Sequence, residues 1–391
     1  MQMFIKTIAL LLALLFLPDI YIYFMYIVKW TKSWLWRGLF FLPTALLIIY
    51  MLSVRIGTAA DPDHQHAIGV FFIIFLCITA PKAVFFIIDG LGHLVPSDII
   101  GRIFRIVAMA AAGTAVLILL TGYCWGRNHF VVHQQTFVFD NLPPAFDGYR
   151  IAFFSDIHIG TFRQGNEKDV QTIADLINEQ KADAIMFGGD LVNYQCAEVY
   201  GFEQQMSSLK AKDGVFSIMG NHDYSSYIRY ASEEEKQADI DKLHAKQREF
   251  GWTLLLNEHR IIRRGNDSIA VIGVENDGKP PFPSLGDLPK ATQGIGEGTF
   301  CILLTHDPTH WRRKVIPETN ISLSLAGHTH AGQFKVFGWS PVKYVYDEWS
   351  GAYTEGNQVL DVSDGVGAVM FPFRFGAWPE VNVITLRRKT P

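Results

Sequence analysis

The sequence predicts an α/β domain preceded by four membrane-spanning helices. Three observations lead to this class. Four long apolar runs lie before residue 127, short apolar strands alternate with helical stretches after residue 149, and the residues able to carry chemistry follow the ends of those strands. Such alternation is typical of an α/β sheet, here with added antiparallel strand pairs.

The apolar runs predict a membrane domain over residues 1–126. Each run approaches the roughly 20 residues that a helix needs to cross a bilayer, and none has the polar face of a buried helix in a soluble protein. We expect spans at about 7–28, 34–54, 67–88 and 106–125. A signal peptide is the alternative for the first run, although no clear small-residue cleavage site accompanies it.

Basic residues in the links between spans predict the orientation of the chain. Lys and Arg favour the cytoplasmic side of a membrane. The first and third links, with their edges, carry Lys29, Lys32, Arg37, Lys82, Arg102 and Arg105. We therefore expect a multi-pass protein of the cell membrane whose residues from 127 onward lie outside the cytoplasm, in a periplasm where one exists.

Composition excludes several other classes. Hydrophobic residues make up 49% of the chain and charged residues only 18%, a low charge fraction for a soluble protein. No basic stripe indicates nucleic-acid binding. The four cysteines form neither a disulfide framework nor a cysteine-type zinc site. The sequence does not specify an oligomeric state.

The rest of the chain divides into a connecting segment and a domain. Residues 127–148 are expected to form a tether and an edge strand, and residues 149–391 the α/β domain. Helices are predicted at 166–180 and 198–211, and a long polar helix begins at Ser232 with a capping box. A hairpin is predicted around Gly265–Asn266.

Polar residues collect just past the predicted strand ends. They are Asp156 and His158, Asp190, Asn221 and His222, His306, and finally His328 and His330. Ligands of open α/β sheets bind outside the carboxyl ends of the strands, so these groups should converge. Carboxylates, imidazoles and an amide suit Mn, Fe, Zn or Co in five- or six-coordinate sites. Eight residues exceed the needs of one ion, which favours two metals bridged by a carboxylate.

The spacing of the paired residues predicts how they converge. In Asp-x-His and His-x-His an extended segment points both side chains to the same side, because direction alternates with a period of two. The glycines beside them allow the backbone to turn sharply and approach the ions.

The motifs DIH, GGD, GNHD, THD and GHTH, over about 150–335, resemble the calcineurin-like metallophosphoesterase superfamily. The AGHTHAGQ segment and the VSDGVGAVMFPFRF tail are similar to its membrane-anchored bacterial branch, and to animal transmembrane proteins with this domain. The resemblance implies a four-layer α/β/β/α sandwich, hydrolysis of phosphate esters and two divalent ions.

The resemblance also implies residue roles. The first metal would be held by Asp156, His158, Asp190 and His330, and the second by Asp190, Asn221, His306 and His328. His222 would act on the leaving-group side and not as a ligand. Many relatives have an aspartate where this chain has Asn193, whose amide is expected to orient His222. For Arg374 the sequence leaves two roles open, phosphate binding and loop packing. Asp364 occupies a position where an arginine is expected.

These features predict a membrane-anchored dimetal phosphoesterase. A membrane protein whose phosphoesterase-like domain only binds phosphorylated ligands is the alternative, and a channel regulated by this domain is another. The motifs leave monoesters, diesters, pyrophosphates and lipid-linked phosphates open as substrates. Because only about twenty residues separate Trp125 from Tyr149, we expect an amphiphilic substrate presented at the membrane surface.

Overall fold

The computed structural model describes residues 2–54, 62–163 and 166–389. The chain divides into two compact units. The first comprises Met1–Ala59 and Ala67–Trp125, and the second comprises Ala60–His66 and Gly126–Pro391. We call them the membrane unit and the catalytic unit, after the roles that the sequence predicts for them.

The described part of the membrane unit consists of helices joined by short non-helical segments. Its helices are α1 (Gln2–Ile22), α2 (Val28–Trp30), α3 (Trp34–Leu39), α4 (Leu42–Val54), α5 (Pro62–His93) and α6 (Asp98–Cys124), with a π-helical turn at Tyr23–Ile27 between α1 and α2. Three segments are long and apolar enough to cross a membrane: Leu12–Trp30, Ala67–His93 and Asp98–Asn128. Among the described residues, three of the four predicted spans thus meet the length criterion.

The second predicted span, 34–54, differs from expectation. It is divided between α3 and α4, and the longer piece has 13 residues, fewer than the roughly 20 that a straight crossing needs. Pro43 explains the division, because proline has no N–H to donate to the preceding turn and its ring crowds that turn. The link 55–61 that follows lies outside the described residues.

The catalytic unit is built on two six-stranded sheets. The strands are β1 (Val131–Phe139), β2 (Arg150–Phe154), β3 (Ala184–Phe187), β4 (Val215–Ser217), β5 (Thr253–Leu254), β6 (Glu258–Arg264), β7 (Asp267–Gly273), β8 (Phe300–Leu304), β9 (Leu323–Ala326), β10 (Gly351–Glu355), β11 (Gln358–Val362) and β12 (Glu380–Arg388). The first sheet has the order β1-β12-β2-β3-β4-β5 and the second β10-β11-β9-β8-β7-β6.

Helices cover the outer face of each sheet, which gives the four layers implied by the sequence. They are α7 (Glu167–Glu179), α8 (Glu203–Ser207) and α9 (Glu233–Glu249) on the first sheet, and α10 (Leu288–Thr292) and α11 (Ile316–Glu318) near the second. Strand β2 shows the alternation that builds the layers. Ile151 and Phe153 pack between the two sheets, whereas Ala152 and Phe154 pack against the helices.

Local predictions can be compared with these elements. The Ser232 hydroxyl accepts a hydrogen bond from the Glu235 N–H and caps α9, as expected. The predicted hairpin is formed by β6 and β7. The helix predicted at 198–211 is limited to α8. Strand β1 begins at Val131, so only a few residues separate it from the end of α6 at Cys124.

Candidate metal centre

Five strands deliver the predicted site residues. Asp156 and His158 follow β2, Asp190 follows β3, Asn221 and His222 follow β4, His306 follows β8, and His328 and His330 follow β9. These are parallel neighbours within their sheets, so their carboxyl ends share one edge. All seven predicted metal ligands are buried or nearly so. Convergence at the strand ends follows the general rule for open sheets.

Left-handed backbone turns aim these side chains. Asp156, His158, Asp190, His328 and His330 all have positive φ, between 45° and 73°. Such angles are uncommon outside glycine, and clusters of them mark functional sites. The expectation that both Asp-x-His and His-x-His are extended is therefore wrong. The side chains converge because each segment turns as its strand ends.

Glycines beside the ligands are required by close packing. A Cβ at Gly220 would lie 2.2 Å from Asp190 Oδ1, and one at Gly327 would lie 2.2 Å from Asp156 Oδ2. Both distances are shorter than any real contact. The backbone of the GNHD and GHTH motifs thus lies directly against the two carboxylates, and this explains why glycine precedes each polar segment.

The first group of potential ligand atoms comes from Asp156, His158 and His330. The Nε2 atoms of His158 and His330 lie 3.1 Å apart, and His330 Nε2 lies 3.3 Å from Asp156 Oδ1. Asp190 Oδ2 lies 3.6 Å from His158 Nε2. These four side chains are the set implied for the first metal.

The second group comes from Asp190, Asn221, His306 and His328. Asn221 Oδ1 lies 3.1 Å from His306 Nε2 and 2.7 Å from His328 Nδ1. Asp190 Oδ2 lies 3.2 Å from His306 Nε2. The same carboxylate oxygen of Asp190 therefore faces both groups.

These separations fit metal binding. Ligands at right angles around an ion, with bonds of about 2.1 Å, lie about 3.0 Å from one another. The Nε2 atoms of His158 and His330 face each other at this distance, as do the Asn221 oxygen and the His306 nitrogen. Three groups of His and Asp residues each place their ligand atoms within 4.8 Å of one another. The donor set of nitrogen and oxygen suits transition ions.

The electrostatics of the site favour a positive charge at its centre. Burial opposes the charged form of Asp190, but His306 and His222 hold the pKa of this carboxyl well below its usual range. Burial also opposes a charge on His306, yet Asp190 and Asp156 raise its pKa to about 10. Burial lowers the pKa of His328 to about 4. His328 therefore stays neutral and keeps a lone pair for a cation.

His222 is oriented differently from the prediction. Its Nδ1 lies 2.7 Å from the backbone carbonyl oxygen of Asn193, which accepts the N–H. The Asn193 side chain instead donates to Glu198, Gln65 and the His158 carbonyl. The expectation that the amide of Asn193 orients His222 is therefore wrong. The side chain of Asn193 is held by buried Glu198. The backbone carbonyl of Asn193 accepts the hydrogen bond from His222.

Three residues near the site were not predicted. Asp223 is buried and accepts hydrogen bonds from the backbone N–H groups of Asp190, Leu191, Val192 and Gly220. Tyr227 stacks on His222 with ring centroids 4.2 Å apart and accepts from Asn221 Nδ2. The Tyr346 hydroxyl lies 2.8 Å from His328 Nε2. Asp223 stands in the GNHD motif and was open to prediction, whereas the tyrosines come from loops without a motif.

Arg374 and Asp364 now have structural roles. Arg374 is fully buried and donates to the carbonyls of Gly367 and Asp364, and one of its nitrogens lies 2.9 Å from His330 Nδ1. It packs the loop and contacts His330, which agrees with loop packing. Asp364 forms an ion pair of 2.6 Å with Lys335, a cation from another segment of the chain.

Comparison with known proteins agrees with this geometry. A model of the calcineurin-like phosphoesterase family matches residues 149–332. The chain is 29% identical over 258 residues to the uncharacterized metallophosphoesterase YkuE of Bacillus subtilis, covering 63% of this chain and 82% of that protein. It is 27% identical over 276 residues to the phosphodiesterase YaeI of Escherichia coli, covering 68% and 90%.

An animal protein shares the same region. The transmembrane protein with metallophosphoesterase domain of Danio rerio is 28% identical over 257 residues, covering 64% of this chain. The chain spans only 55% of the length of that relative. Residues 149–332 therefore form a calcineurin-like metallophosphoesterase domain, and the named relatives support metal-dependent hydrolysis of phosphoesters as its chemistry.

Proposed function

We propose that this protein is a membrane-anchored phosphoesterase that uses two divalent metal ions. The observation that carries the proposal is the position of Asp190. One oxygen of this carboxylate lies 3.6 Å from His158 and 3.2 Å from His306, so it faces both groups of ligand atoms. A carboxylate in this position can bridge two ions.

Each ion would have four protein ligands. Asp156, His158, Asp190 and His330 would hold the first, and Asp190, Asn221, His306 and His328 the second. Mn, Fe and Zn all suit such nitrogen and oxygen ligands. When bound, the ions supply a polarised phosphoryl group and an activated water.

The chain's own residues would position the substrate and move a proton. His222 keeps a proton on Nδ1, because this atom donates to the Asn193 carbonyl. Its other nitrogen is then available to protonate the leaving oxygen of the ester. The His222 ring stacks on Tyr227 with a centroid distance of 4.2 Å, which fixes the plane of the imidazole. His222 thus serves as the general acid, with Asn193 as a positioning residue through its main chain.

The membrane unit would hold the hydrolase at a bilayer. Three long apolar segments support membrane location, and the relatives include transmembrane proteins. We infer a substrate presented at the membrane surface, such as a lipid-linked phosphate. The basic residues of the first and third links support an extracytoplasmic, periplasmic position for the catalytic unit. Reporter fusions at residue 130 test this, because a phosphatase reporter is active only outside the cytoplasm.

Metal counting together with a substrate panel tests the function. Full-length protein purified with Mn should contain close to two transition ions per chain. It should hydrolyse a member of a panel of monoesters, diesters, pyrophosphates and phospholipid phosphates. Diesters are included because YaeI is named a phosphodiesterase. An active protein with fewer than one ion per chain would contradict the dimetal proposal, and a metal-loaded protein without turnover would favour a binding domain.

A further inference from the structure

A tight hairpin projects from the catalytic unit beside the metal centre. We call residues 334–346 the Phe337 hairpin. Val336 and Trp339 exchange two backbone hydrogen bonds of 2.9 Å across the turn. Phe337 and Gly338 form the tip, with φ of 49° and 74°. Glycine adopts such angles freely, but a bulky residue like Phe337 does so at a cost.

The hairpin exposes an unusual set of side chains. Phe337 is fully exposed, Tyr344 is 76% exposed, Val345 72% and Trp339 40%. The Lys343 ammonium lies 5.4 Å from the centre of the Tyr344 ring. A soluble surface seldom gathers large apolar residues in one segment, and such patches mark interaction sites. Tryptophan, tyrosine and lysine around an apolar tip match the composition of membrane–water interfaces.

The stem of the hairpin is fixed to the fold. The Lys335 ammonium pairs with buried Asp364 at 2.6 Å, and the Lys335 N–H donates to the Phe375 carbonyl at 2.7 Å. A Cβ at Gly376 would lie 1.7 Å from the Lys335 carbonyl oxygen, so the two segments are in direct contact. The tip is thus exposed although its stem is fixed to the fold by an ion pair and a backbone hydrogen bond.

The hairpin stem lies near the first residues of the catalytic unit. Gly126 begins this unit, and a Cβ there would lie 1.9 Å from the Arg374 carbonyl oxygen. Ring contacts lead from His129 to Trp378, then to Phe375 and Phe334, with centroid distances of 5.5, 5.9 and 6.0 Å. These contacts connect the stem to the segment with which the catalytic unit begins.

The other end of the hairpin contacts the metal centre. Tyr346 closes the segment, and its hydroxyl lies 2.8 Å from Nε2 of His328. Residues 338–346 therefore connect the exposed tip directly to a contact with the predicted metal ligand His328. A molecule held by the tip would lie beside the site.

We propose that the Phe337 hairpin docks into the headgroup region of a lipid bilayer, with Phe337 in the acyl boundary and Trp339 and Tyr344 among the headgroups. This inference rests on the proposed membrane anchoring, and it adds a second contact with the bilayer beyond the helices. The docked hairpin brings the metal centre to the lipid surface, where a phosphate headgroup enters beside His328. Apolar burial supplies the driving force, as in other interfacial segments.

Spin-label accessibility tests the docking. The full-length chain, with Cys77 and Cys124 replaced by alanine, carries a nitroxide at F337C in nanodiscs of phosphatidylcholine and phosphatidylglycerol. We expect collisions with oxygen to exceed those with a water-soluble nickel chelate, which gives a positive depth parameter. The matched control is V138C, because Val138 is 58% exposed on strand β1. Its label should give a negative depth parameter.

Other outcomes would overturn the proposal. A negative depth parameter at residue 337 would place the tip in water. Dipolar broadening between labels on separate chains would show contact with a second copy, and exclusion of both reagents in detergent as well as in nanodiscs would show burial against protein. A label at Y344C repeats the measurement if the first variant does not fold. The readout is independent of turnover, so failure of the hydrolase assay or of metal counting would leave it unaffected.

Discussion

Both units of this protein bury charged side chains, but the partners that surround the buried carboxylates differ between the two units. In the membrane unit, Asp19 is fully buried, and its two oxygens are met by Lys82 at 2.6 Å and Thr44 at 2.5 Å. In the catalytic unit, Asp156 and Asp190 are buried beside histidines whose nitrogens face one another. The first arrangement is complete in itself, whereas the second groups nitrogen and oxygen atoms that could hold a metal ion.

A second group in the membrane unit strengthens the contrast. Asp89 accepts hydrogen bonds from Tyr21 and Tyr26, and Arg105 lies 3.5 Å from its other oxygen. The structure thus pairs each of these two carboxylates with a nearby cation. Burial of charge alone therefore does not identify a site. Several histidine and carboxylate ligand atoms that face one another within a few ångströms do.

The largest expected effect comes from removing the shared carboxylate. D190N should lower activity by about a thousandfold or more, equivalent to roughly 4 kcal/mol, and should reduce bound metal. An amide cannot offset the charge of two ions. Activity and metal content measured together check this, with D175N on the exposed face of α7 as the control. Full metal content in D190N would show that the carboxylate does not bridge.

His222 should separate chemistry from metal binding. We expect H222A to keep its metals and to lose turnover by about 10²–10⁴-fold, the usual contribution of general acid catalysis. The loss should be greater for alkyl esters than for nitrophenyl esters, whose leaving group needs less protonation. H244A on α9 is the control. Equal losses with both esters would mean that His222 orients the phosphoryl group instead.

The ion pair of the membrane unit should respond in the opposite way. D19N leaves Lys82 partly buried without its counter-ion, and we expect destabilisation near the lower end of the roughly 3–5 kcal/mol typical of broken buried pairs. Metal content should not change. Adding K82M to D19N should restore most of the lost stability, measured by thermal unfolding in detergent. A metal loss in D19N would contradict the separation of the two roles.

A smaller effect is expected from a buried carboxyl away from the metal centre. Burial and neighbouring Asp364 raise the pKa of Glu380 from 4.5 to about 8. A raised pKa means that the folded state holds the proton more tightly. This stability is present in full below about pH 4.5 and is lost as pH rises toward 8, by at most about 1.4 kcal/mol per pH unit.

E380Q removes this titration. Its melting temperature should therefore fall less than that of the wild type between about pH 6 and about pH 9. E297Q, at an exposed glutamate, should behave as the wild type does. Parallel curves for E380Q and the wild type would show that Glu380 does not titrate in this range.

The sequence predicted the elements that periodicity and motif position encode. Strand ends bearing Asp156, Asp190 and His306 converge as expected, because sheet topology forces neighbouring parallel strands to end at one edge. The β6–β7 hairpin and the cap at Ser232 also follow from local patterns. These features are determined by short segments, so the residue types within each segment are enough to predict them.

Features set by contacts between distant segments were not predictable in this way. Histidine is enriched at positive φ compared with most other residues, but left-handed turns remain uncommon outside glycine, so their occurrence at His158 and His330 could not be inferred from local propensity. Asn193 is held by Glu198 and Gln65, so its side chain does not reach His222. Pro43 is visible in the sequence and could have indicated a break in the helix. The length of the apolar run 34–54 nevertheless led to the prediction of a single span. The exposure of Phe337 depends on the stem formed with Phe375.

The place of β12 in the first sheet has a consequence for how the protein is made. This strand pairs in parallel with β1 from Val131 to Phe139 and antiparallel with β2 on its other side. During synthesis β1 and β2 emerge early, and the strand that joins them emerges after every residue of the metal centre. An interrupted chain would expose two unpaired strand edges, which favour aggregation and degradation. Closure of the sheet therefore waits for synthesis of β12, and chains interrupted before this strand are open to quality control before they can act.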